Sequence, residues 1–370
     1  MRIVIAGGGT AGHVVPALAI ARTLVDEHGA SVHFIGTPDG LESRLVPSAG
    51  FPFTSVDAVP LRRELSTRAL LAPIAAVRSI GDCSPVVAGA DVVIGVGGYA
   101  SVPAVLASWW ARRPVVLHEQ NAVPGLANRL LARRSAVVCT SFAESIPLLP
   151  RTRTVVTGNP VREAVLDVPR RRAELRGEAH STLGLAEERR TVLVFGGSQG
   201  ALSIDRAVAG AARILRARSD LQLLVLTGRS HLREVSEPSP GDGALRVIAV
   251  PFLDRMELAY AAADLVVARA GATTIAEVAV CGLAAILVPY PYATGNHQEA
   301  NARALERAGA ATIVPDRALS AELLARRVTT LVEDDVALER MRANAARWAR
   351  PDAARAVARE VVAARREIVR

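Results

Sequence analysis

Short, continuous apolar runs rich in β-branched residues recur along the chain, and stretches with helical periodicity separate them. Uninterrupted apolar strands that alternate with helices are typical of parallel sheets covered by helices on both faces. The first half predicts strands at Arg2–Ala6, Ser31–Ile35, Phe53–Val56, Asp91–Gly95, Pro114–His118, Ala136–Thr140 and Thr154–Thr157. The pattern restarts after residue 190, with strands at Thr191–Phe195, Gln222–Leu226, Arg246–Val250, Asp264–Ala268, Ala285–Val288 and Thr312–Val314. The sequence therefore predicts an α/β protein with two doubly wound parallel sheets.

Residues 162–190 separate the two patterns, because strand periodicity lapses there and charged residues accumulate. This stretch is the predicted connection and the entry helix of a second domain. Both halves open with a strand, a glycine-rich turn and a helix, in RIVIAGGGTAGH and TVLVFGGSQGAL. Two such domains facing one another would leave a cleft outside the carboxyl ends of their strands, where open α/β sheets bind ligands.

The composition excludes several classes of enzyme. All 44 basic residues of the 370-residue chain are arginine. Without lysine the chain cannot form a Walker A loop, a pyridoxal Schiff base or the Schiff base of an aldolase. The net charge of +8 is divided evenly between the two halves of the chain. Neither half therefore has the concentrated basic segment that would predict a nucleic-acid partner. Three widely spaced cysteines without a CxxC motif fit a reducing cytosol.

Neither a signal peptide nor a membrane span is expected. The apolar run before the first glycines is too short for the core of a signal peptide. Two uncharged runs, residues 92–111 and 278–298, approach the length of a membrane span. Because glycines and prolines interrupt both runs, each is predicted to form a strand, a turn and a helix.

The first glycine-rich turn satisfies GxGxxG with Gly7, Gly9 and Gly12, directly after a strand and before a helix predicted to begin near Pro16. This context is typical of a turn that holds a phosphate group. A dinucleotide-binding dehydrogenase would also need an acidic residue at the end of the second strand. The first candidate, Asp39, comes three residues late, so the dehydrogenase is the second-ranked alternative.

Two further turns between a strand and a helix occur in the second half, at Gly196–Gly200 and Arg269–Thr274. Each offers backbone N–H groups at the positive end of a helix, an environment that stabilises an anion. Glu277 follows on the same helix and is placed to accept hydrogen bonds from a ribose diol. Three such turns predict a diphosphate ligand, and the alternative is that the glycines only make tight connections between strands and helices.

Polar clusters also follow strands, at His118–Asn121, Gly158–Arg162 and Gly295–Asn301. Burying such side chains without hydrogen bonds is costly, so they are candidates for a ligand site. No HExxH or DxD motif is present, so a protein-held metal is not predicted. Arg162 is the candidate that would stabilise a leaving diphosphate in place of a metal.

The ordered motifs resemble a known family over essentially the whole chain. They read GGGTAGHVVPALAIA, GVGGYASVPA, HEQNAVPGLANR, GNPVR, GGSQGA, RAGATTIAEV and NHQEANA. In this order and spacing they are similar to the MurG family of glycosyltransferases of bacterial peptidoglycan synthesis. The resemblance implies the GT-B fold, in which two Rossmann-like domains face each other across a cleft.

The resemblance implies transfer of N-acetylglucosamine (GlcNAc) from UDP-GlcNAc to the 4-hydroxyl of the muramyl sugar (MurNAc) in undecaprenyl-diphospho-MurNAc-pentapeptide, with inversion. It implies no cofactor and a peripheral position on the cytoplasmic side of the plasma membrane. Anionic lipid and other cell-wall synthesis proteins are the expected partners. The implied acceptor and membrane-facing domain comprises residues 1–161 plus 350–370, since the last helix returns to it, and residues 162–349 form the implied UDP-GlcNAc domain.

The matching motifs also imply site residues. In the first domain, Thr10, Ala11 and Gly12 lie on the donor-sugar side, Asn121 contacts GlcNAc, and Tyr99 belongs to the substrate site. In the second domain, Arg162 and Ser198 approach the diphosphate, and Gln298 reaches the sugar hydroxyls. Leu253 lines the uracil site through its backbone. The diphosphate and ribose are held by Ala272, Thr273, Thr274, Ile275, Ala276 and Glu277.

We expect His13 to be the general base, with Glu119 as the second choice. The family commonly has glycine where this chain has Ala11. Because a methyl group is strained at positive φ, either Ala11 takes an ordinary conformation or the turn shifts.

An apolar strip with a basic fringe is the expected membrane contact, and the alternative is that its apolar residues belong to the core. It comprises Leu70, Leu71, Ile74 and Val77 with Arg62, Arg63, Arg68 and Arg78, and Trp109 and Trp110 beside it. Other functions that stay open are a related transferase with another acceptor, a UDP-GlcNAc epimerase and a UDP-binding sensor without turnover.

Overall fold

The computed structural model describes residues 1–57, 67–150, 152–197, 200–228 and 244–366, with the backbone alone for residues 67–76. The chain divides into two compact units. Unit 1 comprises Met1–Val161 with Arg350–Arg370, and unit 2 comprises Arg162–Ala349.

Unit 1 contains a seven-stranded parallel sheet in the order β3-β2-β1-β4-β5-β6-β7. Its strands are β1 (Arg2–Ala6), β2 (Ser31–Gly36), β3 (Phe53–Ser55), β4 (Val92–Gly95), β5 (Val115–Glu119), β6 (Val137–Thr140) and β7 (Thr154–Val156). All seven predicted strands are confirmed, with ends that differ by a residue. The strand order reverses between β1 and β4, where open α/β sheets form their ligand crevice.

Helices cover both faces of this sheet, as the continuous apolar strands predict. They are α1 (Ala11–His28), α2 (Glu42–Ser48), α3 (Thr67–Ala88), α4 (Ser101–Trp110) and α5 (Leu126–Leu131). Two short 3₁₀ helices, Ala132–Arg134 and Ala143–Leu148, follow. Along β1, Ile3 packs in the layer of α1, while Val4 packs with Cys83 of α3 and Ala104 of α4. Both faces of β1 are therefore buried.

The start of α1 differs from the prediction. The helix begins at Ala11 instead of near Pro16, because the Thr10 carbonyl already accepts the N–H groups of His13 and Val14. At the other end, Gly29 adopts the left-handed conformation (φ 56°) that commonly terminates helices. Gly12 and His13 therefore belong to the first helical turn.

Unit 2 contains a six-stranded parallel sheet in the order β10-β9-β8-β11-β12-β13, which reverses between β8 and β11. Its strands are β8 (Arg190–Phe195), β9 (Leu221–Leu226), β10 (Arg246–Val250), β11 (Leu265–Ala268), β12 (Ala284–Leu287) and β13 (Ala311–Ile313). These six strands confirm the second predicted sheet.

The helices of unit 2 complete its two outer layers. They are α6 (Glu163–Leu166), α7 (Val168–Leu183), α8 (Leu202–Ile214), α9 (Met256–Ala262), α10 (Ala272–Val280), α11 (His297–Arg307), α12 (Ala321–Glu333) and α13 (Asp335–Trp348). Short 3₁₀ helices lie at Thr294–Asn296 and Asp316–Ala318. The predicted connecting stretch thus forms α6 and α7 within unit 2.

The last described helix, α14 (Ala353–Arg366), belongs to unit 1. Its Val357 and Val361 are fully buried in the layer that contains Leu24 of α1. Arg355 of the same helix pairs with Glu27 at 2.6 Å. No helix in the described part of the chain is both long and apolar enough to span a bilayer.

Candidate active site

In unit 1, the candidate residues lie in the loops that follow β1, β4 and β5. These strands are neighbours in the sheet, so their carboxyl ends form one continuous edge. The candidates lie on Gly7–Thr10 and the first turn of α1 after β1, on Gly97–Tyr99 after β4, and on Gln120–Gly125 after β5. The structure therefore brings the GGGTAGH, GVGGY and HEQN motifs together on one edge.

The first two of these loops approach each other so closely that glycine is required. A Cβ atom on Gly7 would overlap the Gly97 carbonyl, and one on Gly98 would lie 2.7 Å from the Gly8 carbonyl oxygen. Gly7, Gly97 and Gly98 also adopt positive φ angles of 139°, 89° and 77°. The glycines thus permit backbone contact between neighbouring loops.

The backbone conformation of Ala11 decides between the two alternatives predicted for the first glycine turn. It is the first residue of α1, and the described non-glycine residues with positive φ are Arg112 and Asn296. Ala11 therefore takes an ordinary helical conformation and does not displace the turn. Thr10 is extended (φ −131°) as the residue that precedes the helix, and its side chain makes no capping bond.

His13 lies in the first turn of α1 and is half-buried. Its Nδ1 is 3.0 Å from the Thr10 hydroxyl oxygen, a hydrogen bond that orients the ring. A Cβ atom on Gly97 would lie 3.1 Å from the His13 Nε2, so the ring packs directly against the GVGG turn. The imidazole is therefore held at the edge formed by β1 and β4.

Glu119 is buried, with 2% of its surface exposed, and its carboxylate is surrounded by donors. Oε1 accepts the Asn121 N–H at 2.9 Å, and Oε2 accepts the Gly125 N–H at 3.0 Å and the Asn128 amide at 2.9 Å. Burial raises the pKa of Glu119, while these donors act in the opposite direction. These bonds connect Glu119 to the loop that contains Asn121 and Gly125 and to Asn128 of α5.

The remaining unit 1 candidates lie on the same loops. Tyr99 is 52% exposed at the GVGGY turn, and Asn121 is half-buried beside Glu119. Beneath them, His118 is fully buried, with its Nε2 facing the Gly158 carbonyl at 3.3 Å and its Nδ1 facing the Gln120 amide at 3.1 Å. Burial lowers the pKa of His118 to about 4, which keeps this ring neutral.

In unit 2, glycine turns follow β8 and β11, which are also neighbouring strands. Gly196 follows β8, and a Cβ atom there would overlap Ala201, so the turn needs glycine for close packing. Ser198 of this turn lies outside the described residues. After β11, Gly271 precedes α10 in an extended conformation and makes no side-chain capping bond.

The six residues Ala272 to Glu277 open α10 but differ in exposure. Thr273 and Thr274 are half-buried, whereas Ile275 is fully buried in the core. Glu277 is 4% exposed. The two threonine hydroxyls are the more exposed polar groups of this segment, while Ile275 fixes the helix to the sheet.

Arg162 and Glu277 form an ion pair within unit 2. The guanidinium contacts Glu277 Oε1 at 3.0 Å through Nε and 2.9 Å through Nη2. The buried Tyr260 hydroxyl donates to Glu277 Oε2 at 2.8 Å. Burial lowers the pKa of Arg162, but the Glu277 carboxylate outweighs it and the pKa is raised. The residues expected to hold diphosphate and ribose are thus adjacent and oriented by each other.

Gln298 and Leu253 lie at the same edge of unit 2. Gln298 Oε1 accepts the N–H groups of Tyr290 at 2.9 Å and Ala270 at 3.2 Å, which ties α11 to the loops after β11 and β12. Leu253 is half-buried between β10 and α9. All described unit 2 candidates therefore lie near carboxyl ends of strands.

Three structurally important residues were missed in the sequence. Tyr260 supports Glu277, Arg269 is 8% exposed and pairs with Asp316 at 2.5 Å, and Glu42 contacts the first glycine turn. The RAGATT motif contained Arg269, but no local pattern distinguishes a buried arginine.

Within the described ranges, no group of His, Cys, Asp or Glu side chains forms a metal-binding cluster.

Comparisons with known proteins agree with this arrangement. Residues 3–140 match the glycosyltransferase family 28 N-terminal domain, and residues 191–357 match the C-terminal domain of the same family. The two sheets with their glycine turns therefore define a family 28 glycosyltransferase.

Full-length relatives narrow the class. The chain is 41% identical to a UDP-N-acetylglucosamine--N-acetylmuramyl-(pentapeptide) pyrophosphoryl-undecaprenol N-acetylglucosamine transferase of Halothermothrix orenii, over 95% of each chain. It is 45% identical to the enzyme of that name from Mycolicibacterium paratuberculosis, over 96% of this chain and 87% of the relative. The crystal structure of Acinetobacter baumannii MurG superposes with a TM-score of 0.78 at 30% identity, covering 98% of this chain and 99% of that one. The chain belongs to the MurG family of N-acetylglucosaminyltransferases.

Proposed function

We propose that this chain transfers GlcNAc from UDP-GlcNAc to the 4-hydroxyl of MurNAc in undecaprenyl-diphospho-MurNAc-pentapeptide. Relatives at 41% and 45% identity carry the name of this activity. The structural observation that carries the proposal is the ordered edge at the strand reversal of each unit, one with a histidine and one with an ion pair beside an open helix N-terminus. We assign the acceptor to unit 1 and the donor to unit 2.

Unit 2 has the chemistry required for a nucleotide diphosphate sugar. The N-terminus of α10 presents backbone N–H groups and the hydroxyls of Thr273 and Thr274, without a capping side chain from Gly271. Such a terminus stabilises a partly buried anion by up to about 2 kcal/mol. Glu277 accepts ribose hydroxyls at its remaining lone pairs, and the guanidinium of Arg162 faces the diphosphate.

The remaining donor contacts follow the motifs. In this proposal, Leu253 lines the uracil through its backbone, Gln298 meets the sugar hydroxyls, and Ser198 contacts the diphosphate. On the unit 1 side, Thr10, Ala11 and Gly12 border the donor sugar. Tyr99 and Asn121 complete the substrate site.

The reaction is a single displacement. His13 accepts the proton of the acceptor 4-hydroxyl as that oxygen bonds to the anomeric carbon, and the bond from this carbon to the UDP oxygen breaks. Attack from the face opposite UDP inverts the anomeric centre. The leaving diphosphate is stabilised by the α10 N-terminus and Arg162, a preorganised electrostatic arrangement. Glu119, saturated with hydrogen bonds, holds the Asn121 loop.

One assay separates this function from the alternatives. UDP release from UDP-GlcNAc is measured with and without a lipid-linked muramyl-pentapeptide analogue. The proposal expects release only with the acceptor, together with a disaccharide product. Release without acceptor would indicate an epimerase or a hydrolase, and UDP binding without release would indicate a sensor. Turnover with a different lipid or natural-product acceptor alone would support the related transferase.

We also propose that unit 1 binds the cytoplasmic leaflet peripherally. Val77 and Trp110 are 63% and 70% exposed, and the neighbouring Arg78 is exposed. Trp109 packs partly against the buried cluster that contains Val105 and Leu131, and the Arg134 guanidinium lies 5.5 Å from its ring centre. Apolar and basic side chains together are attracted to anionic lipid surfaces.

Part of the predicted strip has no described side chains. Arg62 and Arg63 lie outside the described residues. Arg68, Leu70, Leu71 and Ile74 lie on α3 where only the backbone is described. Their contribution to membrane binding stays a prediction.

Flotation with liposomes tests the membrane surface. Binding should require anionic lipid and should fall severalfold in Trp110→Ser. Val336→Ser is the matched control, because Val336 is 78% exposed on unit 2 and should not affect flotation. Equal flotation with neutral and anionic liposomes contradicts the basic fringe, and unchanged flotation of Trp110→Ser removes Trp110 from the surface.

A further inference from the structure

A buried carboxylate, Glu42 at the start of α2, contacts the first glycine turn from outside the motif. It is 1% exposed. Glu42 Oε2 accepts the Gly9 N–H at 2.7 Å, and Oε1 accepts both the N–H of Thr37 at 2.9 Å and its hydroxyl at 2.7 Å. One side chain therefore joins the turn after β1 to the segment after β2.

Three glycines surround this carboxylate. A Cβ atom on Gly8, Gly36 or Gly40 would overlap the Glu42 side chain. The backbone of two segments, after β1 and at the end of β2, thus closes around one carboxyl group, and space for it exists only because these positions lack side chains. This close packing indicates that the Glu42 side chain determines the conformation of the glycine turn after β1.

Glu42 remains ionised in this enclosure. Burial raises the pKa of Glu42, but the donors from Gly9 and Thr37 outweigh it, and the pKa lies below its usual value. Backbone N–H groups of a glycine turn form an anion-binding concavity. In this chain, the anion held by the Gly9 N–H is the protein's own carboxylate.

The residue that Glu42 contacts, Gly9, is next in the chain to the residue that bonds the proposed base. Gly9 precedes Thr10, whose hydroxyl oxygen is 3.0 Å from His13 Nδ1. We propose that Glu42 is a positioning residue, which clamps Gly9 so that Thr10 holds the His13 imidazole in its reactive orientation. The inference rests on the proposed function and adds a residue outside the glycine motif to its machinery.

Glu42→Gln is the test, because an amide keeps the size but presents an N–H₂ group to backbone donors. We expect kcat to fall about tenfold to a hundredfold, the typical cost of misplacing a catalytic group by about 1 Å. UDP affinity, a property assigned to unit 2, should stay within twofold. The NMR resonance of His13, identified by its loss in His13→Gln, should shift.

Asp91→Asn is the matched control. Asp91 also accepts a backbone N–H in unit 1, from Arg2 at 2.8 Å, but at the amino edge of the sheet. It should leave kcat within twofold and the His13 resonance unchanged. Glu42→Asp, which keeps the charge but shortens the reach, serves if Glu42→Gln does not fold, and the same losses are expected.

Two results would overturn the inference. One is a Glu42 variant with kcat within twofold of wild type and an unshifted His13 resonance. The other is a parallel loss of kcat and UDP affinity, which indicates general destabilisation. If the wild type releases no UDP with acceptor, the proposed function fails instead, and the His13 resonance still tests the Glu42 clamp.

Discussion

Each unit contains a strand, a glycine turn and a helix in succession, but the charged groups near these turns are bonded differently in the two units. In unit 1, the N–H of Gly9 is already bonded to the Glu42 carboxylate. In unit 2, Gly271 leaves the start of α10 without a capping side chain, and the nearby Glu277 is paired with Arg162. Both α1 and α10 begin without a side-chain capping bond, so the units differ in two other features. The glycine turn of unit 1 is held by an internal carboxylate, and the start of α10 in unit 2 has an arginine nearby.

This difference separates positioning from binding. A turn whose anion is internal is suited to hold a reactive side chain, here His13. A helix N-terminus with an adjacent guanidinium is suited to bind an external diphosphate, because both supply positive potential. Mutations in unit 1 should therefore act on turnover without changing UDP affinity, and mutations in unit 2 should also lower UDP affinity.

The largest expected effect is that of His13→Ala. General base catalysis contributes about 10²- to 10⁴-fold, so kcat should fall by about 10³-fold. UDP affinity, measured by calorimetry, should change less than twofold. His33→Ala is the control, since His33 is also a unit 1 histidine but bonds Thr54 between β2 and β3 at 2.8 Å. Near-wild-type kcat in His13→Ala would remove His13 as the base.

Arg162→Met tests the role of unit 2 in binding the diphosphate of UDP. Charge-assisted hydrogen bonds contribute about 1.5–3 kcal/mol, so UDP affinity should fall roughly tenfold to a hundredfold. The His13 resonance should not shift. Arg218→Met is the control, because Arg218 pairs with Asp220 and Glu333 on the surface of unit 2, where ion pairs contribute little. Unchanged UDP affinity in Arg162→Met contradicts the assignment of the diphosphate to this pair.

Local patterns explain why the sheets could be predicted. The buried strands are continuous apolar runs, as in VVIG of β4, and such runs between helices leave few alternatives to a parallel sheet. The glycine turns were visible for a related reason, because a strand, glycines and a helix occur consecutively. The order of strands follows from pairing, which no local run encodes.

The contacts that organise the site are long-range, and this is why the sequence did not reveal them. Glu42 lies 33 positions from Gly9, and Arg162 lies 115 positions from Glu277. Glu277 was expected to accept hydrogen bonds from a ribose diol, and no sequence pattern indicated that Tyr260 and Arg162 contact it. The start of α1 was misplaced because Pro16 suggested a boundary, although the Thr10 carbonyl begins the helix earlier.

Ala11→Gly is expected to have the smallest effect. Because Ala11 already has a helical conformation, glycine relieves no strain and costs about 0.5 kcal/mol of stability through chain entropy. kcat should stay within twofold. Gly9→Ala is the informative partner, since Gly9 has φ 87° with open space around it, and a methyl group there costs roughly 1–2 kcal/mol by backbone strain alone. Thermal unfolding and kcat of both variants check this order. A severalfold rise of kcat in Ala11→Gly would mean that the methyl group obstructs the turn after all.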